Sequence, residues 1–94
     1  MPVYPINVLR HPYGGNDPRL RRKAQRYNEI AQLCEDYLNL KISENADEIQ
    51  QYTYGFIAHD LNLTTEEVHE VMFAVAAGHN GITVHRPSLR EGLR

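Results

Sequence analysis

The stretch Thr53-Tyr54-Gly55-Phe56-Ile57-Ala58-His59-Asp60-Leu61-Asn62, continuing Leu63-Thr64-Thr65-Glu66-Glu67-Val68-His69-Glu70-Val71-Met72, decides how this chain is read. Its apolar positions keep helical spacing on either side of one break, at Leu61-Asn62-Leu63. Asn62 suits the left-handed conformation that ends a helix. Thr64 followed by Glu67 forms a capping box, so a third helix begins there. Val68, Val71, Met72 and Val75 give that helix an apolar face, and Gly78 ends it. Ala58 is the small residue needed where two helices cross closely. Ala58 and Val68 are therefore expected to be buried at the crossing of the second and third helices.

Toward the N-terminus, Ala46, Ile49 and Thr53 continue the spacing of Phe56, Ile57 and Leu61. With Asn45 as N-cap and Glu48 as its capping-box partner, the expected second helix runs from Asn45 to Asp60. Gly55 weakens it by about 1 kcal/mol relative to Ala. That glycine either permits close helix packing or splits the segment in two. Further back, Asp17-Pro18 is a strong helix start. Leu20, Ala24, Tyr27, Ala31, Cys34 and Leu38 follow a 4-3-4 rhythm, widened by Ile30, Leu33 and Tyr37, which predicts a first helix over 18–40. Such a helix spans roughly 34 Å. Residues 1–16, with Pro2, Pro5, Pro12 and Gly14-Gly15-Asn16, read as an extended segment whose Val3 and Ile6 to Leu9 dock on the core.

Beyond the third helix, Asn80-Gly81 is a tight-turn dipeptide and Ile82-Thr83-Val84 a short strand. His85 and Arg86 would then sit on a small wing, and residues 86–94 form a flexible tail. The expected fold is mainly α: a three-helix domain over 17–85 with a short C-terminal strand or wing.

Residues 53–72 resemble a helix-turn-helix unit of the kind used by bacterial and phage repressors. Ala58 fills the small contact position, Leu61 and Leu63 flank the turn residue Asn62, and Val68 and Val71 supply the core positions of the second helix. The resemblance covers about 20 of the 94 residues, with the unit extending to about residue 75, and implies a DNA-associated regulator.

Charge divides that reading. The net charge is −2, but Met1 to Arg26 carries six basic residues against Asp17, and Tyr27 to Met72 carries ten acids against Lys41. The third helix presents Thr64, Thr65, Glu66, Glu67, His69 and Glu70, with three acids and no Lys or Arg. Phosphate neutralisation dominates DNA affinity. Binding to double-stranded DNA is therefore expected to rest on Arg19, Arg21, Arg22, Lys23 and Arg26 and on Arg86, with Thr64, Thr65 and His69 at the groove. The alternative is a protein-binding adaptor whose Glu66, Glu67 and Glu70 dock on a basic protein partner. The breadth of the apolar surface on the first helix predicts a homodimer.

Other chemistries find less support. One cysteine, Cys34, allows no intrachain disulfide, and on the inner stripe it reads as a core residue. Among the five histidines no pair has structural-zinc spacing, and Glu66-x-x-His69 alone is a weak ligand pair. Neither glycine cluster links a strand to a helix as a phosphate loop does. No cofactor, metal or catalytic residue is expected, so the chain does not read as an enzyme. No apolar run approaches membrane-spanning length, Met1 to Arg10 lacks a signal-peptide pattern, and the expected location is cytoplasmic.

Overall fold

The computed structural model describes residues 2–12, 14–73 and 80–87. Its elements are α1 (Pro18–Glu44), β1 (Ile49–Thr53), α2 (Tyr54–Leu61), α3 (Thr65–Met72) and β2 (Gly81–His85). Among the described residues the protein is mainly helical, with three helices and a two-stranded antiparallel sheet.

Asp17 caps α1 as its residue type demands, its side chain accepting the Arg19 N–H, and Pro18 opens the first turn. The helix runs to Glu44, past the expected end at Leu40, because Ile42 extends the inner stripe. Ala24, Ile30, Ala31, Cys34, Leu38 and Ile42 are all buried. Leu20 and Leu33, expected on that stripe, are exposed. Leu20 lies on opening turns that run ahead of the first buried residue, Ala24, and Leu33 lies on the outward side.

The expected helix from Asn45 to Asp60 is corrected. Asn45 is the C-cap of α1, its backbone N–H donating to the Ile42 carbonyl. Ile49 to Thr53 is strand, and α2 starts only at Tyr54, with Thr53 as N-cap accepting the Phe56 N–H. Gln50 explains the switch. It is buried, and its Nε2 reaches the carbonyls of Ile42, Asn45 and Asp47 at 3.3, 3.1 and 2.8 Å. These belong to the end of α1 and the loop after it, where helix carbonyls lack intrahelical partners. Gln50 and Tyr52 sit opposite Val84 and Ile82 and turn one face of the sheet into the core. Glu48 makes no capping box there; its carbonyl accepts the Arg86 N–H at 2.7 Å.

The N-terminal segment docks through Ile6 and Val8, which are buried, whereas Val3 and Leu9, expected to dock with them, are exposed. A polar row on α1 holds its backbone. Asn39 accepts the Ile6 N–H at 2.7 Å and donates to the Ile6 carbonyl at 2.9 Å. Glu35 accepts the Val8 N–H at 2.9 Å, and Asn28 accepts the His11 N–H at 2.6 Å. Positions 28, 35 and 39 fall on one side of a helix.

The expected wing is also corrected. β2 pairs with β1 along one edge, and His85 forms a parallel bridge with Val3 on the other. The strand is therefore built into the body of the domain, not extended from it. Gly81 opens β2 opposite Thr53, where a Cβ would collide with the Tyr52 carbonyl oxygen and lie 2.9 Å from the Thr53 Cα. This glycine serves close strand approach.

The turn between α2 and α3 matches its sequence. Asn62 is left-handed, with φ 56° and ψ 45°. The Leu63 N–H donates to the Ala58 carbonyl at 2.8 Å. Ala58 and Val68 are buried in the common core with Ile57, Val71 and Met72. The capping box is complete: Thr64 accepts the Glu67 N–H at 3.1 Å, and Glu67 accepts the Thr64 N–H at 3.0 Å. The expected helix end at Gly78, the apolar position Val75 and residues 88–94 of the expected tail lie outside the described residues.

Candidate nucleic-acid interface

The opening turns of α1 carry Arg19, Arg22, Lys23 and Arg26 with helical spacing on one broad face, all exposed. Arg21 points elsewhere and donates to the Gly15 carbonyl at 3.2 Å. Arg26 links this basic end to α3. Its Nη2 lies 3.4 Å from Glu67 Oε2, and its Nη1 lies 3.5 Å from Glu29 Oε2. Arg26, the last residue of the basic run, therefore meets the first turn of α3, and one α3 carboxylate is already matched by an arginine.

Glu67 has a second task in the capping box. The Thr64 backbone N–H, assisted by the Thr64 hydroxyl and Arg26, holds its carboxyl below the ordinary value. Glu66 and Glu70 remain exposed. Glu70 adds to the burial that raises the Tyr27 phenol.

Thr65 is exposed, while Thr64 is committed as N-cap. His69 is half-buried, its ring standing edge-on to Tyr54 at 5.5 Å and tilted against Phe73 at 5.7 Å. An open cleft of about 420 Å³ lies between the starts of α2 and α3, lined by Thr53, Gly55, Thr65, Glu66, His69 and Asn80. Its hydroxyls and the Asn80 amide can donate and accept hydrogen bonds, whereas Glu66 can only accept when ionised.

Arg86 does not join this group. Its Nη1 donates to the Asn45 carbonyl at the opposite end of α1. The 19 residues from Arg26 to Asn45 place the two ends nearly 30 Å apart along the helix, roughly 28 Å at 1.5 Å per residue. The structure thus brings Arg26 against Glu67 at the start of α3, leaves Arg19, Arg22 and Lys23 one to two turns earlier on the same side of α1, and sets Arg86 apart.

The sequence reading missed the polar row of Asn28, Glu35 and Asn39 and the buried Gln50. Neither departs from what a solvated polar face looks like in sequence. It also missed that Leu40 and Phe56 stand exposed, at 57% and 69% of their surface. Tyr37, between α1 and α2, donates to Asp60 at 2.5 Å; burial and that carboxylate push its phenol up to about 12. Among the described residues no group of three or more His, Cys, Asp or Glu could hold a metal ion, and no helix is long and apolar enough to cross a membrane. No protein-family model, curated protein or solved structure matches the chain.

Proposed function

We propose that this chain is a helix-turn-helix protein that associates with duplex DNA, acting as a transcriptional regulator held mainly by the basic end of α1. The observation that carries the reading is the Arg26–Glu67 contact, 3.4 Å long, which joins the side of α1 that carries Arg19, Arg22 and Lys23 to the first turn of α3. In a helix-turn-helix complex the start of the second helix meets base edges and neighbouring groups grip phosphates. Arg19, Arg22 and Lys23 are the phosphate contacts in this reading, and Thr65, with the cleft beside it, faces the groove. Arg86 and Arg21 take no part, because both are engaged elsewhere.

The test is a titration of the full chain against mixed-sequence duplex DNA at two salt concentrations. Replacing Arg19, Arg22 and Lys23 by Gln should lower affinity for every sequence. It should also flatten the salt dependence by close to three contacts, about 0.9 in slope for each. No binding by the unaltered chain at low salt ends this reading.

A second reading is favoured by one specific feature, the exposed Glu66 and Glu70 on a described α3 without Lys or Arg. In it, α3 is an acidic docking face for a basic protein. Capture of a Lys- and Arg-rich peptide that depends on Glu66 and Glu70 distinguishes it from DNA binding.

A further inference from the structure

The sides of α1 are occupied unevenly. The N-terminal segment lies along Asn28, Glu35 and Asn39. Helix α3 reaches Tyr27, whose hydroxyl donates to the Val71 carbonyl at 3.5 Å, and α2 reaches Tyr37 through Asp60. The remaining side carries Leu33 and Leu40, two turns apart on one line of the helix, exposed at 42% and 57%. Next to them a groove between α1, β1 and α2 contains Tyr37, the Lys41 stem, Gln51 and Phe56. Phe56 is the most exposed large hydrophobic residue among those described, at 69%. Contiguous exposed apolar surface of this kind marks an interaction site.

We propose that this side of α1 is the interface of a homodimer in which two α1 helices pack antiparallel, with the two-fold axis between Asp36 and Tyr37. The occupant is specified by charge. The opening half of α1 carries Arg19, Arg21, Arg22, Lys23 and Arg26, which outweigh Asp17 and Glu29. The other end carries Glu44, Asp47 and Glu48, which outweigh Lys41 and Arg86, while Asp36 lies at the axis itself. A second copy laid antiparallel sets each basic end against the other copy's acidic end. A parallel copy would set like against like. Opposed patches of this kind fix register and exclude the wrong orientation.

The register follows from the two leucines. An axis between Asp36 and Tyr37 places Leu33 against the partner's Leu40, and Leu40 against the partner's Leu33. The contact is thus made twice, as a two-fold interface requires. In the same register Glu29, which pairs with Arg26 at 3.5 Å, faces the partner's Glu44, so Arg26 lies between the two carboxylates and Arg22 lies one turn further, toward the partner's loop after α1. Tyr37 and Phe56 flank the paired leucines. The apolar residues expected from the sequence to make the dimer are otherwise largely spent: Ala24, Ile30, Ala31, Cys34 and Leu38 lie in the protomer's own core. The pairing uses Arg22 and Arg26 of the same basic end that the DNA reading assigns to phosphates, so it is tested on the chain without DNA.

Sedimentation equilibrium of the full chain across micromolar concentrations tests the proposal. The unaltered protein should be a dimer that weakens as salt rises. Leu33→Glu with Leu40→Glu should raise the dissociation constant at least about 100-fold, since four leucine side chains, in two contacts, are lost from the interface of each dimer. Because both side chains are exposed in the protomer, its circular dichroism should not change. Asp47→Lys with Glu48→Lys should weaken the dimer, less than the leucine pair does. Asp36→Cys should crosslink readily to its counterpart, and the native Cys34 will not compete because it is fully buried. Leu33→Cys alone should not crosslink. A monomer at 100 µM (roughly the weakest affinity worth calling a stable pair), a dimer that survives the double glutamate change, or efficient crosslinking of Leu33→Cys each overturns it.

Discussion

The side-chain amide of Asn39 closes both backbone groups of Ile6, accepting its N–H at 2.7 Å and donating to its carbonyl at 2.9 Å. An extended segment has no internal partners for such groups, and Ile6 is buried, so leaving them unpaired is costly. Asn39→Ala should destabilise the protein by about 1–3 kcal/mol, the range for unpaired buried groups. The loss should be local at first. Hydrogen exchange at Ile6 and Val8 should accelerate well before exchange in α1. Uniform acceleration across the chain would show that the segment is not separately held.

Gly81 and Asn62 look alike in sequence, as small turn residues, but answer to different constraints. Asn62 occupies the left-handed region, φ 56°, so Asn62→Gly should leave the melting temperature nearly unchanged and Asn62→Val should lower it. Gly81 is limited by space, since a Cβ would press on the backbone of Tyr52 and Thr53. Gly81→Ala should cost about 1–3 kcal/mol by overpacking. It should act by loosening the β1–β2 pairing, seen as lost protection at Gln50 and Tyr52. Equal stability of the Gly81→Ala variant would mean that the strands separate without penalty.

The same contrast shows what the sequence could carry. Caps and turns were legible: Asp17, Thr64, Glu67 and Asn62 act through their own side chains and neighbouring backbone, so residue type and spacing suffice. The inner stripe of α1 was legible because burial there follows one helical period. β1 was not. In Ile49-Gln50-Gln51-Tyr52-Thr53 the apolar Ile49 is exposed and the polar Gln50 buried, the reverse of an ordinary half-buried strand. Ala46, Ile49 and Thr53 mimic helical spacing, and only the carbonyls of the α1 terminus give Gln50 a reason to be inside. For the candidate interface, the basic residues could be named, but not their neighbours. That Arg26 reaches Glu67 while Arg86 lies at the far end of α1 depends on chain path alone.

Glu67 gives a pH signature with a definite sign. The Thr64 N–H, and after it the Thr64 hydroxyl and Arg26, lower its folded pKa relative to the unfolded chain. Its contribution to stability is therefore complete above the unfolded carboxylate pKa and is lost as pH falls through the lower folded value. Arg26→Gln should raise the Glu67 pKa only part of the way, because the capping N–H remains. Titration of the side-chain carboxyl by NMR reads this directly. A full return to the ordinary value in Arg26→Gln would assign the shift to the ion pair and not to the cap.

The carboxylates of α3 supply the sharpest division between the two functional readings. Glu66, Glu67 and Glu70 place three negative charges where DNA phosphates would approach in this reading, and among the described residues only Glu67 has an arginine ion-paired with it. Gln at all three positions removes the charges and keeps hydrogen-bonding groups of similar size. The capping box survives, since Gln serves at its third position as Glu does, so the variant should fold normally. Arg26 is released from Glu67 and becomes available to a phosphate. For a DNA-binding protein the triple change should therefore tighten binding, most strongly at low salt, where charge repulsion is least screened. For an acidic adaptor the same change should abolish capture of a basic peptide. Titrating the unaltered and triple-Gln chains against both ligands gives opposite orders of affinity under the two readings. Weaker DNA binding by the triple-Gln chain, with its fold intact, would mean that those carboxylates contact bases and do not repel the backbone.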